Sequence, residues 1–258
     1  MNRASAVQIL ALPGIPMVKA GDDIAALIEA GLVRAGLRLQ AGDVLVIAQK
    51  IVSKAEGRLI DLASVTPSAE AVKLAEQVQK DPRVIELILS ESVRVVRARP
   101  NLVITQHRLG FVMANAGVDQ SNIASAEEAA QHALLLPRDP DGSAEALRAR
   151  LSSAAGVAVA VIINDSFGRA WRRGTVGVAI GAAGLPALLD LRGTPDLFGR
   201  ALQVTVSGFA DEIAAAASLV MGQADEAQPV VLVRGLTWRA PDAPASELVR
   251  PPAEDLFR

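Results

Sequence analysis

The densest group of reactive side chains in this 258-residue chain is Ile163-Asn-Asp-Ser-Phe-Gly-Arg-Ala-Trp-Arg-Arg-Gly174. Asp165 and Ser166 set a carboxylate beside a hydroxyl, two hard oxygen donors suited to a magnesium or manganese ion that bridges nucleotide phosphates. Arg169, Arg172 and Arg173 can neutralise phosphate or carboxylate groups through bidentate guanidinium contacts. A second segment, Asn115-Ala-Gly-Val-Asp-Gln-Ser-Asn122, adds the carboxylate of Asp119 and the amide of Asn122. Gly117 there permits close backbone approach to a ligand, although an Asx turn explains the same residues equally well. In the segment 48–58, Lys50 and Lys54 lie four residues apart. On a helix both ammonium groups would share a face and could reach phosphate oxygens; a solvated surface is the competing reading. In the segment 220–229, Gly222 is first of all a helix C-cap, and Gln223 and Glu226 become oxygen donors only if the polar loop folds over a site. His107 and His132 are read as structural or surface residues.

What is missing narrows the chemistry. There is no G-x-x-x-x-G-K-[ST] loop, no G-x-G-x-x-G after a strand and no G-x-S-x-G elbow, so P-loop, Rossmann and hydrolase-type serine sites are not indicated. The absence of cysteine excludes disulfides and thiolates, and two histidines do not make a multi-histidine metal centre. Any metal must be held mainly by oxygen. A net charge of -2 and an aromatic content of 3% offer neither the charge nor the stacking surface that nucleic acid needs. Mean hydropathy is high at +0.32, yet no apolar run is long enough to span a bilayer. No convincing signal-peptide cleavage region follows the N-terminus, so a cytoplasmic location is expected.

Elements that could position these groups follow from periodicity. Residues 22–36 predict an amphipathic helix capped by Asp22 and stopped by Gly36, and 43–48 a short buried strand. Helices are expected over 68–79 and 83–90, the second opened by Asp81-Pro82. Runs 93–97 and 102–105, separated by Arg99-Pro100-Asn101, predict an antiparallel hairpin. A helix over 143–153 leads into a central strand over 157–163, with Asn164 and Asp165 emerging from its end. Residues 168–184, rich in glycine and arginine, read as a ligand-facing loop system. A helix near 211–221 and a strand over 230–233 complete a single mixed α/β unit over residues 1–240. Residues 241–258, with Pro241, Pro244, Pro251 and Pro252, read as a poorly packed tail.

Taken in order, the four segments resemble the coenzyme F420-0:L-glutamate ligase family, also called F420 gamma-glutamyl ligases. The likeness runs from about Leu12 to Gly235 and includes Gly21-Asp-Asp23, Asp81-Pro-Arg83, Leu136-Pro137 and Leu191-Arg-Gly193. It implies an unusual two-part mixed α/β (α+β) fold with antiparallel pairings, neither P-loop nor Rossmann, in an intertwined homodimer. It also implies that Leu12, Pro13, Gly14 and Ile15 contact GTP, and that Gln49, Lys50, Lys54 and Asn122 are nucleotide positions. The loop Met221, Gly222, Gln223, Ala224, Asp225, Glu226, Ala227 and Gln228 is assigned to the nucleotide in the same way. Asp119, Asp165, Ser166 and Gln223 match ligands of two divalent cations, Mg2+ or Mn2+, with a monovalent cation such as K+ as a further expected ion. Asp119 and Asp165 are thereby the expected catalytic pair. Ser166 stands where many relatives have threonine and keeps the hydroxyl; a neutral Gln223 in place of glutamate lowers the negative charge of the site.

The implied reaction uses the γ-phosphate of GTP to activate a carboxylate of the F420 precursor as an acyl phosphate, which the amino group of L-glutamate converts into an amide. Arg169, Arg172 and Arg173 are assigned to the anionic precursor from their charge, not from the resemblance. Two rivals use the same residues: a glutamate ligase for a pterin- or folate-like acceptor, and a noncatalytic GTP-binding regulator. Neither nucleic acid nor a membrane is an expected partner.

Overall fold

The computed structural model describes residues 6–123 and 131–256. In chain order the elements begin with β1 (Gln8–Ala11), α1 (Ile24–Arg34), β2 (Val44–Ala48), α2 (Gln49–Ala55), β3 (Leu59–Asp61), α3 (Ala69–Val78) and α4 (Pro82–Ser90). There follow β4 (Ser92–Arg99), β5 (Leu102–His107), β6 (Val112–Ala114), β7 (His132–Leu134), α5 (Pro140–Ala155) and β8 (Ala160–Gly168). The chain continues with β9 (Thr175–Ala183), β10 (Leu189–Asp190), β11 (Val206–Ser207), α6 (Phe209–Met221) and β12 (Val230–Arg234).

Val44, Leu45, Val46 and Ile47 are all fully buried, which requires cover on both faces of their strand. Leu45 and Ile47 pack into one apolar cluster with residues of α1 and α5. Val44 and Val46 pack into another with Ala210, Ile213, Ala214 and Ala217 of α6. The result is a five-stranded sheet, ordered β1-β12-β2-β8-β9, sandwiched between helices. Only β2 and β8 run parallel; the other neighbours pair antiparallel, as the mixed α/β expectation requires. A third cluster, built from Leu62, Ala71, Val78, Ile85, Ile88, Val103 and Leu135, forms the core of a smaller lobe carrying α3, α4 and the β4-β5-β6 sheet. Its β4-β5 pairing is the expected antiparallel hairpin. Among the described residues no helix is long and apolar enough to cross a membrane.

Four expectations need correction. Helix α1 is capped by Asp23, whose carboxylate accepts from Ala26 N, while Asp22 instead accepts from Lys19 N in the preceding turn. Strand β8 does not end before Asn164; it continues to Gly168, so Asp165 and Ser166 sit within a paired strand. Residues 175–183 are not loop but strand β9. Its glycines mark close packing: a Cβ on Gly177 would overlap Ser218 and the Ala214 carbonyl, and one on Gly181 the Pro140 backbone. These contacts belong to opposite faces, because the pairing shifts register between Ile163 and Asn164 and leaves Ile180 as the extra residue of a bulge. Finally, residues 243–246 are firmly packed. Asp141 accepts from Ala182 N at 2.9 Å, Ala245 N at 2.8 Å and Ser246 N at 3.1 Å. Ala245 is fully buried.

A buried ionic cluster ties the small lobe to the sandwich. Glu91, the C-cap of α4, faces Arg58 at 2.9 Å, Arg108 at 3.0 Å and His107 Nε2 at 3.4 Å. Leu109 N donates to His107 Nδ1 at 3.0 Å, which leaves Nε2 as the protonated nitrogen facing Glu91. Burial alone would raise the Glu91 pKa; the close approach of His107 and Arg58 and the charges of Arg58 and Arg108 outweigh it and hold the carboxyl at about 2, below its ordinary 4.5. The folded pKa is depressed, so this stabilisation is complete above pH 4.5 and is lost as the pH falls towards 2. Glu91→Gln should lower unfolding free energy at pH 7 by about 3 kcal/mol, because Arg58 is left buried without its counter-charge. The variant should also lose much of the wild-type stability change between pH 4.5 and 2. Urea denaturation across that range checks both; wild-type stability at pH 7 would return Glu91 to a surface role.

Candidate active site

Register places the cleft. Strands β2 and β8 pair from Val44↔Ala160 to Ala48↔Asn164, so β2 passes into α2 just where β8 presents Asp165 and Ser166. Ligands gather at the carboxyl ends of parallel strands because the chain there diverges and leaves backbone and side chains free. Here the space is a cleft of about 560 Å³, the size of a small-molecule site. It is lined by residues 15–18, 48–51, 54, 119, 121, 122, 164–166, 175 and 221–229. Three of the four sequence segments thus contribute to its walls, and the segment 163–174 contributes Asn164, Asp165 and Ser166.

Helix α2 is the cationic wall. Lys50 and Lys54 project one turn apart into the cleft, as the helical spacing predicts. Lys50 Nζ contacts Asp119 Oδ2 at 2.7 Å, Ser121 O at 2.8 Å and Ser121 Oγ at 3.0 Å. Lys54 is 7% exposed, and among the described residues its ammonium makes one long hydrogen bond, 3.4 Å to Asn122 O. Burial, with the charge of Lys50 added, lowers its pKa. Gln49, also buried, accepts from Ser53 Oγ at 2.8 Å.

Asp119 is fixed by its backbone, which exchanges hydrogen bonds of 3.0 and 2.8 Å with Leu134. Its Oδ1 accepts from Ser121 N at 2.7 Å, so the Asx turn exists, while Oδ2 remains directed at Lys50. Burial works against its charge; the hydrogen bond and charge of Lys50 prevail and lower its pKa. Asp165 behaves oppositely. It is only partly exposed and surrounded by protein, and burial, reinforced by the charge of Asp119, pushes its pKa up to about 7 despite the Ser166 N–H and Lys50. Two carboxylates face one committed ammonium. Ser166 Oγ donates to Gln223 Oε1 at 2.7 Å, which joins three of the expected cation ligands into one cluster wall with Asp165.

The loop after α6 closes the far side. Gly222 has φ +77 and ψ -179, a conformation open essentially to glycine alone. A Cβ there would also overlap the Glu226 carboxylate, which accepts from Ala224 N at 2.8 Å. Asn122 Nδ2 donates to Ala224 O at 3.0 Å, so the small lobe and this loop meet across the cleft. Asn164 Nδ2 donates to Ser218 Oγ at 3.1 Å and approaches Met221 Sδ at 3.5 Å, anchoring the end of α6.

Other expected residues lie elsewhere. Leu12 is buried in the core, and the carbonyls of Pro13 and Gly14 accept from Arg34 at 3.2 and 2.8 Å; of that segment only Ile15 lines the cleft. Arg169, Arg172 and Arg173 occupy the β8-β9 turn, outside the lining, where Arg169 Nη2 donates to Arg173 O at 3.3 Å. Pro16, Met17, Val18, Ile51, Ser121, Asn164 and Thr175 are lining residues that the motifs did not single out. Ser121 had a signal, its place between Asp119 and Asn122; the apolar ones had none.

The donor set can be tested against a divalent cation. No cluster of three or more histidine, aspartate or glutamate side chains suited to a metal occurs among the described residues. Two carboxylates, a hydroxyl and an amide nonetheless fit a magnesium-type ion that takes the rest of its shell from water and phosphate oxygens. Lysines on the opposite wall suit the same anion.

Oxygen donors facing ammonium groups in one concave site have the chemistry to receive charged ligands. A model of the F420-0:gamma-glutamyl ligase family matches residues 14–235, and the chain belongs to that family of ligases. It is similar to the coenzyme F420:L-glutamate ligase of Methanothermobacter thermautotrophicus, with 48% identity over 98% of this chain and 99% of that one. The protein of the same description from Methanopyrus kandleri is 48% identical over 93% of both chains. That from Archaeoglobus fulgidus is 42% identical over 98% of this chain and 96% of its own.

Proposed function

We propose that this ligase adds L-glutamate to the precursor of coenzyme F420 at the expense of GTP, with Mg2+ or Mn2+ held in the cleft. The observation that carries the reading is Lys54, a cation withdrawn from water with a single long hydrogen bond among the described residues. A buried ammonium is costly without a counter-charge, so the cleft is built to receive an anion. Asp119, Asp165, Ser166 and Gln223 supply oxygen on the other side, where two divalent ions would screen phosphate from carboxylate and stabilise charge on the transferring phosphoryl group.

In this mechanism Lys54 holds the nucleotide phosphates, and the 222–228 loop folds against the nucleotide from the opposite wall. An oxygen of the precursor carboxylate attacks the γ-phosphorus, and the bond from that phosphorus to the β–γ bridging oxygen breaks to release GDP. The amino nitrogen of glutamate then attacks the acyl carbon, phosphate departs with the carboxylate oxygen, and the nitrogen loses a proton. Arg169, Arg172 and Arg173, in the neighbouring turn, are assigned to the anionic precursor by their charge. K+ is a further proposed ion, and the cytoplasm the proposed location.

The proposed homodimer has a candidate surface. Leu197, Phe198 and Val204, between β10 and β11, are 99%, 88% and 85% exposed, an apolar set that a second copy would cover. Light scattering should give twice the chain mass; a monomer at micromolar concentration would contradict this.

Lys54→Ala should leave the melting temperature nearly unchanged and weaken GTP binding about 10- to 100-fold, the value of one or two charge-assisted hydrogen bonds. Asp165→Asn keeps the shape but removes a charge and an oxygen, and should cut glutamate-dependent GDP release by orders of magnitude. Both are read by calorimetry and by product release during manganese titration, with GTP far better than ATP in the wild type. Near-normal turnover of Asp165→Asn at limiting metal would defeat the assignment, and equal rates with ATP would defeat the choice of nucleotide.

A further inference from the structure

Lys50 and Lys54 occupy the same wall one helical turn apart, yet their partners differ sharply. Lys54 makes its one long bond, whereas the ammonium of Lys50 has three acceptors within 3.0 Å, matching its three donors. All three belong to Asp119 and Ser121, the segment that presents an expected cation ligand. We propose that Lys50 is a built-in stand-in cation: in the ligand-free enzyme its ammonium occupies the cation position at Asp119, and it must leave before a divalent ion can bind there. The proposal rests on the metal and nucleotide reading above and adds to it an order of dependence between the two ligands.

Geometry sets the ammonium and a divalent ion in competition for Asp119. A magnesium-type ion needs an oxygen at about 2.0–2.1 Å and an open approach to it. The approach to Asp119 Oδ2 is taken by Nζ at 2.7 Å. The other oxygen, Oδ1, is held by Ser121 N at 2.7 Å in the Asx turn and cannot substitute freely. Two positive charges sharing Asp119 would also repel, and the charges of Asp119 and Lys50 both reach Asp165 on β8. An ammonium on a flexible four-carbon stem can swing away, which a guanidinium fork or a backbone donor could not do as readily. Leaving costs three hydrogen bonds, so it requires a new anion. The phosphate oxygens brought by the nucleotide are that anion, and they reach the same wall that Lys54 occupies. Metal entry thus depends on nucleotide, and by reciprocity nucleotide affinity depends on metal to the same factor. Without nucleotide, Lys50 keeps Asp119 neutralised and keeps the acidic side of the cleft from repelling an incoming phosphate.

The test compares Mn2+ affinity, measured from the EPR signal of free Mn2+, in the wild type and in Lys50→Met, each with and without a nonhydrolysable GTP analogue. Lys50→Gln is measured in parallel, so that a folding defect in one variant leaves the other decisive. Wild-type protein alone should bind Mn2+ weakly and gain at least tenfold with the analogue. Lys50→Met alone should bind Mn2+ at least tenfold more tightly than wild type, bind the analogue less tightly and lose most of the coupling. Equal or weaker Mn2+ affinity in both folded variants, without nucleotide, would overturn the stand-in role while leaving the metal site intact. Asp119→Asn, alone and combined with Lys50→Met, separates the two failures: Mn2+ binding that ignores it, with the analogue present, would overturn the underlying metal assignment and this inference together.

Discussion

The parallel pairing of β2 with β8 is the contact on which the whole cleft depends. Ala48 lies opposite Asn164, so β2 gives way to Gln49 and Lys50 of α2 just where β8 continues into Asp165. A slip of one residue would turn every side chain of β8 to the opposite face of the sheet. Val44, Leu45, Val46 and Ile47 guard against that slip, because alternate members are committed to different buried clusters. Core packing on both faces and chemistry at the strand ends are therefore one constraint.

The acidic wall is divided between two bodies of the structure. Asp165 and Ser166 belong to the sheet, while Asp119 and Asn122 come from the small lobe, where Asp119 meets Lys50 of α2 and the Asn122 carbonyl meets Lys54 of the same helix. The Glu91 cluster, at the lobe boundary, holds that division in place through Arg58, Arg108 and His107. With Asp119 depressed by Lys50 and Asp165 raised to about 7, the wall is asymmetric: one carboxylate is already paired and the other is short of positive charge. Such a site accepts a cation most readily when it arrives with anionic ligands of its own.

Much of this was legible in the residues. The run 43–48 suited a buried strand better than a helix and forms β2 (Val44–Ala48), and the spacing of Lys50 and Lys54 fixed their common face once α2 formed. Gly222 was readable as a helix end, and its second role, clearing room for the Glu226 carboxylate, was not. Strand β9 was hidden because Gly177 and Gly181 imitate loop glycines; they are there because helices α6 and α5 approach too closely for a Cβ. The packed segment 243–246 was hidden by its prolines, since its anchor, Asp141, lies about a hundred residues earlier and no local pattern reports it. Leu12, Pro13 and Gly14 entered through likeness to a family and are not among the residues lining the cleft; Leu12 is buried and the carbonyls of Pro13 and Gly14 accept from Arg34. Short strands such as β3, β7, β10 and β11, of two or three residues, carry too little periodicity to be read at all.

The central claim is that one cleft brings Asp119 and Asp165 to the metal and Lys54 to the phosphates of the same nucleotide. Crystals grown with Mn2+ and a nonhydrolysable GTP analogue, measured at the manganese absorption edge, address it directly. The account predicts an anomalous peak within coordination distance of the Asp119 and Asp165 carboxylates, with the terminal phosphate between that peak and Lys54 Nζ. A manganese peak elsewhere, or a nucleotide bound outside the cleft with Lys50 still on Asp119, would contradict it.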